Sequence, residues 1–305
     1  MAFLTIFSAP KPFTNPHIAT IQRNAIQSWT HLGDQVEILL VGDEPGMADA
    51  AQDYSLRHLR QVQRNEQGTP LVSSIFDLAC QASESQLLMY TNADMLFLPD
   101  LLESARQISR QAENFLAVGQ RWDLAISQIL DFSPGWDQHL IADVHQRGRC
   151  HGPSGSDFFI FPRSVLTNDH NLKMPDFAIG RAGWDNWMIY HARQQGWPVV
   201  DASSSIMAVH QDHDYSHLPG GRPHYELPES NKNQQLAGGS AHMFMVLDCN
   251  WELRADRLRH PRPTLLRLLR RGEVWLTPPD GRRKGTRWAL ARRFRQARRR
   301  ISGTL

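Results

Sequence analysis

Four places in the sequence put polar side chains where an apolar strand is predicted to end. They are Ser8-Ala9-Pro10-Lys11, Gly42-Asp43-Glu44, Arg64-Asn65 and Asn92-Ala93-Asp94. In an open α/β sheet, ligands bind outside the carboxyl ends of the strands. The sequence therefore predicts that these segments contribute to one ligand site.

Asp94 is the carboxylate best placed to bind a metal ion, because it follows the apolar run 87–90 and precedes the apolar run 95–98. Mg²⁺ and Mn²⁺ bind one or two carboxylates and take their remaining ligands from phosphates and water. A diphosphate substrate requires that arrangement. The alternative is that Asp94 or Asp100 caps the helix predicted near Pro99.

The densest cluster of histidine and aspartate in the chain lies at residues 207–217, which begin as a predicted strand. His210 leaves this strand and can offer an imidazole to a metal ion, while His213 or Asp214 could bind phosphate or support the ligands. A solvated polar loop is the alternative for all three residues.

Asp185 lies on the first turn of a predicted helix, between Trp184 and Trp187. Tryptophan faces pack against the C–H face of a sugar ring, and a nearby carboxylate can accept a hydroxyl proton as a general base. We predict that Trp184, Asn186 and Trp187 contact an acceptor that Asp185 deprotonates. Alternatively, Asp185 favours the helix dipole and both tryptophans belong to the core; the two interpretations can hold together.

Asp157 is a second candidate base, at the end of the loop His151–Asp157. The glycines of this loop allow the backbone to approach a ligand closely, so Asp157 could bind sugar hydroxyls and Ser156 could contact the acceptor. A loop that simply needs positive φ angles is the alternative.

The elements that position these residues alternate between short apolar runs and helical patterns, which is typical of βα units around a largely parallel sheet. Strands are predicted at 3–7, 36–41, 59–62, 86–90 and 158–161. Helices are predicted from an Asn15-Pro16 cap to Gly33, at 72–82 and at 185–195. The fold class is therefore α/β, with a mixed, mostly parallel sheet flanked by helices.

The charge distribution separates the body of the chain from a basic tail. The 305 residues carry a net charge of +2. From Trp251 onward there are 17 Lys and Arg against 4 Asp and Glu, a net +13 that leaves −11 for the first 250 residues. We predict a catalytic domain at 1–253, with a donor half at about 1–100 and an acceptor half at about 101–253, and a basic helical extension at 254–305.

The tail has a helical pattern of its own. Leu290, Phe294, Ala297 and Ile301 lie at spacings of four, three and four, and arginines occupy the other sides. Such a basic amphipathic helix binds anionic membrane surfaces. Alternatively, the apolar stripe docks on the catalytic body.

Several classes of protein and site are disfavoured by composition. No apolar window of about 18 residues predicts a spanning helix, and the N-terminus lacks the pattern of a signal peptide, so we expect a cytoplasmic protein. Cys80, Cys150 and Cys249 are scattered, which predicts free thiols rather than a disulfide framework or a zinc cluster.

Taken in order, the residues from Phe3 to Asp214 resemble the GT-A glycosyltransferases, the nucleotide-diphospho-sugar transferase superfamily that includes glycosyltransferase family 2. The Asp-x-Asp motif of that family is similar to Asn92-Ala93-Asp94 here, with an amide in place of the first carboxylate. The resemblance implies that Asp94 and His210 hold Mn²⁺ or Mg²⁺. Because an amide is a poor cation ligand, Asn92 is expected to bond ribose or a sugar hydroxyl instead.

The resemblance also implies roles for other residues. Trp184-Asp185-Asn186 is similar to the motif that supplies the catalytic base in inverting members of the family. Ser8 to Lys11 and Asp43 match positions that hold the nucleoside and its ribose, and Arg64 resembles a basic residue that approaches donor phosphate or base. The donor-binding set implied in this way is Ser8, Pro10, Lys11, Asp43, Arg64, Asn92, Ala93, Asp94 and His213.

We therefore expect an enzyme of polysaccharide biosynthesis that transfers a sugar from a UDP- or GDP-linked donor to a hydroxyl of a glycan or lipid-linked glycan, with inversion. Three alternatives remain. A sugar nucleotidyltransferase would usually carry a glycine-rich basic loop after the first strand, which Ser8 to Pro12 does not provide. A glycoside hydrolase would use Asp157 and Asp185 as its carboxylate pair. A nucleic-acid-binding scaffold would use the basic tail, but the acidic body and the Asp/His cluster disfavour it.

Overall fold

The computed structural model describes residues 1–167, 172–213, 225, 227–278 and 284–302. Its strands are β1 (Leu4–Ser8), β2 (Val36–Val41), β3 (Arg57–Leu59), β4 (Leu87–Thr91), β5 (Met95–Leu96), β6 (Leu116–Val118), β7 (Arg121–Leu124), β8 (Arg149–Cys150), β9 (Phe158–Pro162), β10 (Val199–Asp201), β11 (Ala208–Gln211), β12 (Trp251–Arg254) and β13 (Arg257–Arg259). Its helices are α1 (Pro16–Thr30), α2 (Met47–Asp53), α3 (Val72–Ala82), α4 (Asp100–Ser109), α5 (Trp136–Arg147), α6 (Ser164–Thr167), α7 (Trp184–Gln194), α8 (Pro228–Leu236), α9 (Leu265–Leu276) and α10 (Thr286–Ile301).

A nine-stranded sheet runs through the body in the order β13-β12-β10-β6-β9-β4-β1-β2-β3. Most neighbours are parallel, but β9 is antiparallel to both β4 and β6, and β13 is antiparallel to β12. The predicted mixed, mostly parallel sheet flanked by helices is confirmed.

Helices cover both faces of this sheet. On one face, side chains of α1 and α4 such as Trp29 and Leu101 pack against alternate strand residues such as Ile6 and Met89. On the other face, Phe76 of α3 and residues of α7 pack against the intervening strand residues. Because both faces are covered, the buried parts of the central strands are apolar runs, at residues 38–41 of β2 and 87–90 of β4.

A second sheet, in the order β5-β11-β7-β8, brings three distant segments to one place. His210 of β11 lies opposite Met95 of β5 and opposite Asp123 of β7. Since Met95 directly follows Asp94, this pairing sets the carboxylate of the β4–β5 turn beside the imidazole of β11. The small sheet therefore positions the candidate site.

Local signals explain several element boundaries. The Asn15 side chain accepts hydrogen bonds from the amides of His17 at 2.9 Å and Ile18 at 3.1 Å, with Pro16 as the first helical residue. The alternative that Asp94 or Asp100 caps α4 is not observed, because the N-cap residue is Pro99 and no side chain in the described part of the chain caps the helix. Asp100 Oδ2 instead accepts a hydrogen bond from the amide of Met207 at 2.8 Å and thereby ties α4 to the segment before β11.

The sheet continues to β13, so the predicted division at residue 253 falls inside the β12–β13 hairpin. The division into domains at that point stays a prediction. Beyond the hairpin, α9 and α10 follow as the basic extension. No helix in the described ranges has the length and apolar character that crossing a bilayer requires.

Candidate active site

The candidate site lies at the carboxyl ends of β1 and β4. Ser8 closes β1, and its buried hydroxyl donates a hydrogen bond of 2.6 Å to the carbonyl of Thr91, which closes β4. Lys11 follows β1, and its backbone is held by the side chain of Gln22, which accepts from Lys11 N at 2.6 Å and donates to Lys11 O at 2.9 Å. The two strand ends and Lys11 therefore form one supported edge.

Asp94 is buried at this edge beside an ammonium group and an imidazole. Its Oδ2 lies 3.3 Å from Lys11 Nζ and 3.1 Å from His213 Nε2, and Lys11 Nζ lies 3.1 Å from the same nitrogen. Burial alone would raise the pKa of Asp94, but Lys11, His213 and His210 hold it well below its usual value. Asp94 is therefore an ionised carboxylate in a site largely shielded from water.

The backbone around Asp94 is fixed by Gln211, which is fully buried. The Asp94 carbonyl accepts from the Gln211 amide at 3.1 Å and from Gln211 Nε2 at 3.2 Å. Asn24 of α1 donates to Gln211 Oε1 at 3.0 Å. These contacts position Asp94 without using its carboxylate.

His210 faces a second carboxylate that the sequence analysis missed. Its Nδ1 lies 3.4 Å from Asp123 Oδ1 and 3.7 Å from Asp212 Oδ1. Burial alone would lower the pKa of His210, but Asp123, Asp212 and Asp94 raise it to about 9. Asp123 is only 5% exposed and is also bound by Arg121 Nε at 2.8 Å and His151 Nδ1 at 2.8 Å. Asp123 lies in the short strand Arg121–Leu124, in which two of the four residues are charged, so no apolar run marks it in the sequence.

The donor set suits a divalent cation. Asp94, His210 and His213 each offer one ligand atom, and these atoms lie within 4.8 Å of one another. Among the described residues, two buried atoms of the site have no hydrogen-bond partner, Asp94 Oδ1 and His210 Nδ1. The carboxylate oxygen is therefore left with a lone pair for a ligand. A second group, Asp123, His210 and Asp212, meets the same distance criterion. Because Arg121 and His151 already bind Asp123, the group containing Asp94 fits a metal ion better.

Asn92 is engaged with protein groups rather than pointing to an open site. Its Nδ2 donates to Asp157 Oδ1 at 2.8 Å, and its Oδ1 accepts from the Tyr90 hydroxyl at 3.1 Å. Asp157 Oδ2 is paired with Arg121 Nη1. Asp157, the second candidate base, is therefore held by the Asn92 amide and the Arg121 guanidinium.

Asp185 has the properties of a base that can take up a proton near neutral pH. Burial raises its pKa to about 6, with a further contribution from the charge of Asp157, although the Asn186 and Gly183 amides oppose the shift. A Cβ atom on Gly155 would lie 3.0 Å from Asp185 Oδ2, so Gly155 leaves the space beside this carboxylate open. Burial raises the pKa of Tyr90, and the negative charges of Asp94, Asp157 and Asp185 add to the shift.

The predicted acceptor-binding residues lie mainly in the core. Trp184 is 5% exposed and packs edge-on against Tyr90, while Trp187 is 7% exposed and stacks on His191. The side-chain Nδ2 of Asn186 donates to the backbone carbonyls of Ser154 and Phe244. Ser156 is buried and donates to backbone carbonyls. These four residues shape the surroundings of Asp185 and present little free surface to a sugar.

The remaining donor-site candidates lie at neighbouring strand ends. Asp43 is exposed after β2, and Arg64 pairs with Glu44 at 2.8 Å beyond β3. Pro10 and Ala93 are buried next to Lys11 and Asp94. Asp214 lies outside the described residues. The structure thus brings Lys11, Asp94, His210 and His213 together, and leaves Arg64 in a separate ion pair at the same side of the sheet.

Comparison with known proteins gives only distant similarities. No protein-family model matches the sequence. No curated protein matches it. Among solved structures, a mannosyltransferase from Pyrobaculum calidifontis in complex with GDP-Man and Mn²⁺ is 12% identical, with a TM-score of 0.45, over 70% of this chain and 58% of that one.

Two further solved structures are similar at the same level. S. aureus TarS 1-349 in complex with UDP-GlcNAc is 10% identical, with a TM-score of 0.46, over 78% of this chain and 71% of that one. Glucosyl-3-phosphoglycerate synthase from Mycobacterium tuberculosis in complex with Mn²⁺, UDP and phosphoglyceric acid is 14% identical, with a TM-score of 0.47, over 78% of this chain and 80% of that one.

Proposed function

We propose that this protein is a metal-dependent glycosyltransferase that uses a nucleoside-diphosphate sugar. The observation that carries the proposal is the buried, ionised Asp94 at the end of β4, with one carboxylate oxygen unpartnered among the described residues and with His210, His213 and Lys11 around it. A carboxylate with two imidazoles fits Mn²⁺ or Mg²⁺, and an adjacent ammonium fits the phosphates that such an ion accompanies.

The residues divide the chemistry between binding and proton transfer. Asp94, His210 and His213 would hold the ion, which when bound stabilises the negative charge of a leaving diphosphate. Lys11 adds a positive charge at the same place, and its backbone is fixed by Gln22. Asp123 Oδ1 lies 3.4 Å from His210 Nδ1 without a hydrogen bond, and its negative charge would favour this orientation of the imidazole when the ion is bound.

Asp185 is the proposed general base. Its pKa of about 6 leaves it mostly ionised at neutral pH while keeping it basic enough to accept a proton from a hydroxyl acceptor. A base that deprotonates the acceptor directly supports a single displacement with inversion. Asn92 and Arg121 both bind Asp157, whose charge contributes to the raised pKa of Asp185.

The proposal also covers the donor, the acceptor and the place where the enzyme works. The donor would be a UDP- or GDP-sugar, and Asp43 and Arg64 lie at strand ends that suit contacts with its nucleoside, whereas the buried Ser8 and Pro10 would support the site from below the surface. The acceptor would be a glycan or a lipid-linked glycan in polysaccharide biosynthesis. The basic extension supports peripheral attachment to the inner, anionic face of a membrane.

A glycoside hydrolase is less compatible with the contacts of its two candidate carboxylates. Asp157 is paired with Arg121 and bonded to Asn92, so it is poorly placed to act as a freely titrating partner of Asp185. Lys11, His210 and His213 around Asp94 would also have no role in such an enzyme.

Thermal-shift assays with UDP-, GDP-, dTDP- and CMP-sugars, each with and without Mn²⁺, test the proposal. A nucleoside-diphosphate sugar that raises the melting temperature only in the presence of Mn²⁺ supports it, and that donor is then used in transfer assays with glycan acceptors. Incubation with a glycan alone tests the hydrolase. Glycan cleavage without any nucleotide effect would reject the proposed transferase.

A further inference from the structure

The C-terminal extension carries a concentration of exposed apolar side chains. Nine large hydrophobic residues are exposed in the described part of the chain, and five of them lie on α9 and α10. They are Leu265, Leu268, Trp275, Leu290 and Ile301, with Trp275 the most exposed of the five at 75%. Exposed tryptophan and leucine grouped on one structural unit indicate an interaction surface.

The two helices form a closely packed hairpin rather than two independent segments. A Cβ atom on Gly272 would lie 2.5 Å from Phe294 Cε1, so the absence of a side chain at Gly272 lets the helices approach. Glu273, only 1% exposed, is bound by Arg295 Nε at 2.7 Å and by Arg298 Nε at 3.1 Å. Phe294 is therefore used inside the hairpin, although the sequence pattern placed it on the same stripe as Leu290 and Ile301.

The hairpin is fastened to the body through α9. Arg267 Nη2 donates to Asp201 at 2.9 Å, and Arg270 lies 2.8 Å from Asp248 Oδ2. Both arginines are buried, as is Asp248 against Arg270. The inner side of α9 thus faces the catalytic body, which leaves another side for a partner.

Helical periodicity places the exposed apolar residues of both helices on one outer side. Leu268 and Trp275 are seven residues apart in α9, and Leu290 and Ile301 are eleven apart in α10, so each pair shares a face. In α9 the face of Leu268 and Trp275 is rotated by about a quarter turn from the side that contacts α10. In α10 the face of Leu290 and Ile301 is rotated by about the same angle, in the same direction, from the side that contacts α9. Because the helices are antiparallel, equal offsets of the same sense put both faces on the same side of the hairpin.

The border of this face is positively charged. Arg271 of α9 and Arg293 and Arg300 of α10 are exposed next to the apolar rows. A second copy of the same face would bring these like charges together, which disfavours self-association. An anionic lipid surface complements both the arginines and the apolar side chains.

We infer that this surface, composed of Leu265, Leu268, Trp275, Leu290 and Ile301 with Arg271, Arg293 and Arg300, is the membrane-contacting face of the protein and that its partner is an anionic phospholipid bilayer. This surface would make the membrane attachment that the proposed function includes. The inference rests on the proposed function only in assuming that the enzyme works at a membrane. Contact involves both helices, and α9 contributes the tryptophan.

Co-sedimentation with vesicles tests this face. The full-length protein should pellet with vesicles of phosphatidylserine and phosphatidylcholine, less so at high salt, and should not pellet with phosphatidylcholine alone. Combined Leu268→Ser and Trp275→Ser substitutions should weaken partition to anionic vesicles roughly tenfold or more, because they remove buried apolar area from the contact. Ile129→Ser is the matched control, since Ile129 is 57% exposed on the body, and it should bind as the wild type does.

Equal partition of the double variant and the wild type would overturn the inference, as would equal binding to neutral and anionic vesicles. Sedimentation velocity without lipid examines the competing partner: self-association that the double substitution abolishes, with no vesicle binding, would assign the face to a second copy of the chain. Binding of nucleotide with Mn²⁺ is measured on the same variants. Retained nucleotide binding with lost vesicle binding, or the reverse, separates this inference from the proposed function.

Discussion

Asn92 occupies a position at which a carboxylate would destabilise the folded protein. Its Nδ2 lies 2.8 Å from Asp157 Oδ1, so an aspartate at this position would set two carboxylates against each other. Asn92→Asp is expected to lower the free energy of unfolding by about 1–3 kcal/mol, the usual cost of a lost buried hydrogen bond, and to leave Mn²⁺ affinity unimproved. Chemical denaturation and calorimetry with Mn²⁺ measure the two quantities. Tighter Mn²⁺ binding by a stable variant would show that residue 92 can ligate the ion.

The pKa of Asp185 predicts the acid limb of the pH profile. A general base must be ionised, so kcat/KM should be constant above a pH of about 6 and should fall about tenfold per pH unit below it. Asp185→Asn should lower turnover roughly a hundredfold or more and abolish this limb. Steady-state transfer rates between pH 5 and pH 8 provide the measurement. Asp157→Asn is the comparison variant, and an inactive Asp157→Asn beside a nearly fully active Asp185→Asn would reassign the base.

The raised pKa of Asp185 also determines how the stability of the folded protein changes with pH. The pKa of Asp185 in the folded protein lies above its ordinary value of 3.8, so the folded state binds the proton more tightly than the unfolded state does. The stabilisation that protonation gives is complete below the unfolded value and is lost as the pH rises through about 6. Asp185→Asn should therefore unfold at the same or a higher temperature than the wild type at pH 7, which distinguishes loss of a base from loss of the fold.

Sequence reasoning at the residue scale succeeds where one side chain stands at a strand end and fails where distant charges interact. Asp94 and His210 could be predicted because each adjoins a recognisable apolar run, and the structure brings them together. The role of Asn92 could not, since its partner Asp157 is 65 residues away. Asp123 was missed because its importance comes from His210, which lies opposite it only once β7 and β11 pair.

At the scale of elements, periodicity and caps identified the strands and helices that depend on local signals. Strand β2 and helix α3 have the predicted bounds, and the Asn15 cap of α1 is confirmed. The third strand, predicted at 59–62, instead spans Arg57–Leu59. The small sheet was not predicted, because β5 and β8 have two residues each and form only through pairing with distant strands. Such pairing depends on tertiary context more than on propensity.

The packing of α9 against α10 gives a prediction for a single glycine. Gly272→Ala would improve helix propensity by up to about 1 kcal/mol, but its Cβ would overlap Phe294, and such overpacking costs about 1–3 kcal/mol. We expect the hairpin to loosen, with amide hydrogen exchange in α10 faster by roughly tenfold, the change that about 1.4 kcal/mol produces. Gln296→Ala, at an exposed position of α10, is the matched control and should exchange as the wild type does. Unchanged or slower exchange in the Gly272 variant would mean that the helices do not pack at this glycine.

At the scale of the whole molecule, the charge asymmetry of the sequence has a structural counterpart. The acidic body supplies Asp201 and Asp248, which receive Arg267 and Arg270 of the basic extension. Composition indicated that a basic tail follows an acidic body, but it could not decide whether the tail packs on the body or faces a partner. In the structure α9 does both: Arg267 and Arg270 bind the body, and Leu265, Leu268 and Trp275 remain exposed.

The account as a whole depends on the claim that Asp94 binds a divalent ion together with a nucleoside diphosphate. The most direct test is calorimetry of UDP and GDP, with and without Mn²⁺, on the wild type, on Asp94→Ala and on Asp34→Ala, a control at an exposed aspartate remote from the site in sequence. We predict Mn²⁺-dependent nucleotide binding by the wild type and the control, and a loss of affinity on the order of tenfold or more in Asp94→Ala, the loss typical when contacts at a metal site are removed. Undiminished Mn²⁺-dependent affinity in a folded Asp94→Ala protein would contradict the account.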